Sequence, residues 1–382
     1  MSPVSLLPVP LLMAWAFAVV ALLDRWFPVH IKAQRASAID GLRGFLAFGV
    51  FLHHACIWYF FTHSGVWRDP PPPFYGHLGS TSVTLFFMIT GYLFFGKLLA
   101  ADGQQLDWLR LYVSRALRIL PVFALLSLAS VVVIVAIKRL GLDAGNPALL
   151  AHTARKLYVT AGVTWTLDYE WNFYFALPLF AAMVWRRLRG LWPWLLLAVC
   201  YLALEDWAEL TSIYSAAFAG GLLAVWAGQW PWLVAWCRTH AASALVLGLV
   251  AGVVAGFDTA YQPLPMALLG VAFVLVANGT SVFGLLNLRL CRVFGEITYS
   301  LYLLHGLVLF LFFRFVVGLH TAATLSPVEH WLLVGALTPV LLAVAFFSFR
   351  WVEAPMMAKT DGWTRALRER CSRMAAGWVP GR

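Results

Sequence analysis

Apolar runs of membrane-crossing length recur along the whole chain, separated by short segments that hold most of its lysines and arginines. A helix needs about 20 predominantly apolar residues to cross a bilayer. Such runs lie near residues 5–23, 44–62, 80–99, 119–137, 170–185, 191–204, 213–229, 241–257, 264–281, 294–317 and 328–349, the fifth and sixth being short. Because a lipid-exposed backbone must satisfy its own polar groups, each run predicts a helix. The expectation is an all-α polytopic integral membrane protein with about 11 transmembrane helices. The first run ends in Asp24 and Arg25 without a small-residue cleavage site, and reads as a retained helix rather than a signal peptide. No internal repeat and no soluble domain stands out.

Composition agrees. Charged residues are 12% of the 382 and hydrophobic ones 62%, against about 25% charged in soluble domains. Placing the N-terminus outside and the C-terminus in the cytoplasm leaves only Arg68, Lys138, Arg139, Arg155 and Lys156 in outer segments and Arg314 within a span, out of 27 lysines and arginines. The positive-inside rule favours that topology. The net charge of +10 is then mainly an inner-leaflet feature, and no basic stripe interleaved with aromatics points to nucleic acid. In the tail, Trp363, Leu367, Cys371, Met374 and Trp378 share one helical face and Arg365, Arg368, Arg370 and Arg373 the other, the pattern of a helix lying on an anionic membrane surface. The five cysteines form no close pair, so neither a disulfide framework nor a zinc site is indicated, and no metal is expected.

Ionisable groups inside the apolar runs carry the functional signal. Arg43 opens the second span at its cytoplasmic edge, and His54 follows eleven residues later, about 16 Å deeper on the same face. His53 is rotated about 100° from His54, so the two cannot share one partner. In the tenth span Thr298, Tyr302 and His305 form one polar stripe at spacings of four and three. The fifth brings Glu170 and Tyr174 in one turn apart. Asp40, three residues before Arg43, is placed to pair with it. Buried imidazoles and carboxylates also suit the proton relay of a secondary transporter, or interhelical hydrogen bonds in a non-catalytic export component.

Six dispersed stretches, in order, make the chain resemble the membrane acyltransferase 3 family over residues 38–356. They are Ile39-Asp40-Gly41-Leu42-Arg43-Gly44 with His54 following, Phe86-Phe87-Met88-Ile89-Thr90-Gly91-Tyr92 with Thr90 in place of a serine, and Arg115 with Arg118 and Pro121. Trp165-Thr166-Leu167 through Glu170 and Phe173-Tyr174, Ser300-Leu301-Tyr302-Leu303-Leu304-His305, and Phe349-Arg350-Trp351-Val352-Glu353-Ala354-Pro355 complete the set.

The resemblance implies an O-acyltransferase of the bacterial inner membrane. It would move an acyl group, acetyl being the expected one, from cytoplasmic acyl-CoA as co-substrate to a hydroxyl of a glycan or lipid-linked glycan, with no bound cofactor. His54 is then expected as general base or acyl-transfer residue, with Arg43, Glu170 and His305 as further catalytic candidates. Arg115, Arg118 and Arg43 would bind the donor phosphates, and Asp40, Thr90, Tyr174 and Tyr302 would line the cavity. Residues 1–37 form an extra helix and linker outside the family's usual start, and 357–382 a basic amphipathic tail. No esterase-like domain follows the last helix, which implies a stand-alone transferase or one relying on a separate partner chain.

Overall fold

The computed structural model describes residues 2–31, 37–71, 73–101, 106–141, 160–185 and 211–377. Its elements are α1 (Pro8–Trp26), α2 (Ser37–Ser64), α3 (Pro73–Ala100), α4 (Trp108–Arg139), α5 (Trp165–Trp185), α6 (Ser212–Ala227), α7 (Pro231–Cys237), α8 (His240–Gly256) and α9 (Pro263–Ala277). A short 3₁₀ turn (Leu285–Asn287) leads to α10 (Arg289–Glu296), α11 (Thr298–Leu311), α12 (Leu319–Ala322), α13 (Pro327–Ser348), α14 (Ala354–Ala358) and α15 (Thr360–Gly377). Among the described residues there is no strand.

Among the described residues six helical segments are long and apolar enough to cross a membrane, or seven if α7 and α8, bent by 76° at their junction, count as one. α6 and α9 are apolar but shorter, and the run predicted near 191–204 lies outside the described residues. The chain is nonetheless a multi-pass membrane protein by the length and composition of these helices.

Burial ranks them. The most apolar window of α2 is 78% buried inside the bundle, that of α1 or α4 only 17%. α2 is thus the central post, packed by α3, α10 and α11, whereas α4 turns Leu125, Leu128, Val131 and Val132 outward. The close approach of α2 to α10 and to the 3₁₀ turn before it explains two glycines. A Cβ at Gly295 would overlap the Asp40 carbonyl, and one at Gly41 the Leu286 carbonyl, so no side chain fits at either position.

The extra N-terminal helix is part of this packing. Phe17 meets Phe45 and Phe294 at ring-centroid distances of 5.1 and 5.4 Å, and Asp24 takes two hydrogen bonds from Arg289 at 3.1 and 3.0 Å. α13 ends in a π-helical turn, Phe349–Glu353, a local widening that often marks a functional position. Here it carries Glu353, with no exposed surface, into the bundle.

The tail helix α15 forms as the sequence periodicity predicts, with Trp363 and Met374 exposed on its apolar face; Trp378 lies outside the described residues. Two exposed ion pairs hold it to the start of α4, Arg110 to Asp361 at 2.7 Å and Arg368 to Asp107 at 2.8 Å. Hydrogen bonds from these arginines hold both carboxyls below the ordinary carboxylate range. Lowered values mean that this docking is complete above the ordinary carboxylate pKa of about 3.9 and is lost as pH falls through the lowered ones. The protection of amides in residues 360–377, relative to unstructured exchange at the same pH, should therefore fall on acidification through that range and on adding salt at neutral pH, which screens exposed pairs. Unchanged protection under both conditions would contradict the ion pairs as the tether.

Candidate functional site

Along the antiparallel pair α2 and α3, polar residues gather in two cavities, one toward each end. The first takes the N-terminal part of α2 and the C-terminal half of α3. It has a volume of about 310 Å³ and is lined by Asp40, Arg43, Thr90, Lys97, Arg115, Arg118, Glu170, Tyr174 and Tyr302, among others. Eight residues singled out in the sequence, scattered from 40 to 302, are thus brought to one place by five helices. Lys97 joins them; the charge pattern alone gave it no role beyond topology.

The polar groups of this cavity are held by specific contacts. Arg43 lies 3.8 Å from Asp40, as their spacing predicts, and Tyr174 donates to Glu170 Oε2 at 2.9 Å. Arg115 and Lys97 both stand over the Phe94 ring, each 5.2 Å from its centroid. Arg118 faces Glu353 at 3.9 Å, and Ser300 donates to the other carboxylate oxygen at 3.1 Å. Four cations therefore line a space that only two carboxylates share, with Glu353 behind Arg118. An anionic ligand carrying several charges fits such a field.

The second cavity, about 490 Å³, takes the C-terminal half of α2, the N-terminal part of α3 and the segments around 67–73, 163–165 and 258–261. His53 and His54 both line it. As the helical rotation predicts, their partners differ. His53 contacts the Tyr75 carbonyl at 2.8 Å through Nδ1 and lies 3.7 Å from Asp69 through Nε2. A Cβ at Gly79 would sit 2.8 Å from the His53 ring, so the glycine leaves room for the imidazole.

His54 belongs to a histidine pair. Its Nδ1 lies 3.0 Å from the Val50 carbonyl and 3.0 Å from His305 Nε2, while His305 Nδ1 lies 3.3 Å from the Leu301 carbonyl. One assignment of protons to the neutral rings satisfies all three contacts. In that assignment the single proton on His54 Nδ1 is shared between the Val50 carbonyl and His305 Nε2, and His305 carries its own on Nδ1 toward the Leu301 carbonyl. The His54 lone pair is then on Nε2, where it can accept a proton. His305 has no exposed surface and lines neither cavity. The Ala161 carbonyl also neighbours the His54 ring, and Ala161 is a non-glycine residue at positive φ, 53°, a strained conformation that functional segments tolerate.

Val83 and Tyr302 line both cavities. The Tyr302 hydroxyl lies 3.1 Å from Thr166 Oγ1 and 3.3 Å from the Val163 carbonyl, fixing the ring at the junction. Tyr302 is thus bonded to the 163–166 segment, and its ring stands 6.1 Å from that of His305. Arg43 and Glu170 line the first cavity and His54 the second; Arg43 is about three turns along α2 from His54. The arrangement can hold a polyanion at one end, admit a second molecule at the other and supply a base between them. Among the described residues no group of three or more histidine, cysteine, aspartate or glutamate side chains is placed to hold a metal ion.

A protein-family model described as an acyltransferase domain matches residues 37–350. No curated protein and no solved structure matches the chain.

The Arg118–Glu353 pair generates a stability test. Removing one partner of a buried pair costs about 3–5 kcal/mol, because the other charge is left unpaired. Glu353→Ala and Arg118→Met should each lower the unfolding temperature, and the double variant should lose less than the sum, with a coupling above about 1 kcal/mol. Strict additivity in that cycle would show that the two groups do not support each other.

Proposed function

Because the chain belongs to the acyltransferase 3 family, and so to proteins that transfer acyl groups, we propose that it moves an acyl group, acetyl foremost, from acyl-CoA to a hydroxyl of an exported or surface carbohydrate. The observation that carries this reading is the meeting of a basic cavity and a histidine-lined cavity at Val83 and Tyr302. The phosphates of coenzyme A suit the guanidinium groups of Arg43, Arg115 and Arg118. With those anchors the thioester would extend toward Tyr302, where the hydroxyl of the second substrate would meet it.

In the direct form of the reaction, His54 Nε2 takes the proton of the acceptor hydroxyl while its oxygen attacks the thioester carbonyl. The C–S bond breaks, and the proton returns from the imidazolium to the departing sulfur, giving ester and free thiol. His305 Nε2 accepts from His54 Nδ1, holding the tautomer that keeps Nε2 unprotonated before attack, the role an orienting partner plays beside a general base. Glu170 bonds Tyr174 and belongs with the donor-side network in this scheme. The distribution of lysine and arginine supports a basic cavity facing the cytoplasm, where acyl-CoA is made, and a histidine cavity facing outward. A bacterial inner membrane suits that arrangement.

Incubating the purified protein with radiolabelled acetyl-CoA and a glycan acceptor tests the reading, since a transporter or export component would move no label covalently. His54→Ala should lower the rate by about 10²- to 10⁴-fold, the usual yield of general acid–base catalysis, and His53→Ala by much less. Thermal unfolding of each variant separates chemistry from folding. A folded His54→Ala protein with near-normal transfer at saturating acetyl-CoA would remove His54 from the mechanism.

A further inference from the structure

The second cavity differs in charge from the first. Its lining contains no lysine or arginine among the described residues; its charged members are Asp69 and Asp258, beside the imidazoles of His53 and His54. Both carboxylates are exposed at the mouth. Besides Tyr302, four aromatic side chains, Trp67, Trp165, Tyr214 and Tyr261, line the same space. Three of them form a connected wall: Trp165 meets Tyr214 at 5.0 Å and Tyr214 meets Tyr261 edge-on at 4.6 Å between ring centroids. Burial pushes the Tyr261 phenol well above its ordinary value, with Tyr302, Tyr214 and Asp69 adding to it. It therefore remains a neutral hydroxyl, able to donate.

An aromatic wall offers broad apolar faces with polar edges, while two carboxylates accept hydrogen bonds from hydroxyls or ammonium groups and repel anions. A pyranose ring presents both an apolar face and a rim of hydroxyl donors. The volume, about 490 Å³, lies in the range of small-ligand sites, about 300–1,000 Å³. His54 and Tyr302 line the same cavity as the wall, so a ring seated on the wall shares its space with the proposed base.

We propose that this cavity is the acceptor subsite and that it takes an uncharged or amine-bearing sugar ring, stacked on Trp165 and Tyr214 and held at its rim by Asp69 and Asp258, while excluding acidic sugars. The inference rests on the transferase reading for the meaning of "acceptor", but the binding claim stands apart from catalysis. The segregation of charge has a direct consequence. The polyanionic donor is repelled from the acceptor end and retained at the other, so the two substrates do not compete for one cavity.

The test is saturation-transfer NMR on the full-length protein in detergent, with methyl glucopyranoside, methyl glucosaminide and methyl glucuronide as probes. The neutral and amino glycosides should receive saturation, and the glucuronide at least about tenfold less. Trp165→Ala should abolish the signal for the first two. An Asp69→Asn/Asp258→Asn protein should bind the glucuronide nearly as well as the glucoside. Circular dichroism confirms that each variant is folded, and Tyr214→Phe, which keeps the ring, should retain binding. If the glucuronide binds the unaltered protein as well as the glucoside does, the exposed Arg68 beside Asp69 governs the mouth and the proposal fails. It also fails if no probe binds, or if the double variant leaves selectivity unchanged. Binding with the expected selectivity in a protein that transfers no label would instead overturn the transferase reading and leave the sugar site standing.

Discussion

Everything in this bundle answers to one constraint: α2 carries an arginine and two histidines through the most buried part of the protein, and an ionisable group there must meet a partner or a polar cavity. Arg43 meets Asp40 and opens on the basic cavity. His53 meets the Tyr75 carbonyl, and His54 meets Val50 and His305. The neighbouring helices are arranged to supply those partners, and their polar stripes face inward while their apolar surfaces, such as the outer face of α4, are left outside. The requirement to satisfy buried polar groups has produced two cavities with a shared wall at Val83 and Tyr302.

Opposite charge in the two cavities gives that division a chemical meaning. Guanidinium and ammonium groups surround one, carboxylates and imidazoles the other. In the proposed transfer between a polyanionic carrier and an uncharged hydroxyl, this polarity would favour each substrate at its own end, with His54 on the side of the hydroxyl. Glu353 contributes from behind. Carried inward by a π-helical turn, it faces the Arg118 guanidinium from the protein side and leaves the cavity side of that cation for a ligand.

Much of this was legible in the residues. The eleven-residue interval from Arg43 to His54 and the Thr298–Tyr302–His305 stripe are helical periodicities, and a helix obeys them whatever surrounds it. Contacts between distant segments were not legible in that way. His54 and His305 are 251 positions apart, and nothing in either local pattern says that one ring accepts from the other. Asp69 lies outside any helix, and its approach to His53 depends on how the chain returns from α2 to α3. Glu353 stood in a recognised stretch without a role, since only its depth and its contact with Arg118 reveal one. Apolar runs such as those of α6 and α9 satisfy a hydropathy reading but form helices of only 16 and 15 residues, because the length of an apolar run does not fix where its helix starts and stops. The catalytic candidates are divided between the cavities, Arg43 and Glu170 lining the first and His54 the second, a division that no local spacing shows.

The proposed reaction requires one substrate to reach the Tyr302 junction from the basic side. A cryo-electron microscopy map of the protein with acetyl-CoA bound tests it directly. Phosphate density is expected against Arg43, Arg115 and Arg118, with the acyl end directed to Tyr302 and His54. Coenzyme A density in the histidine cavity, or at a surface away from both, would contradict it.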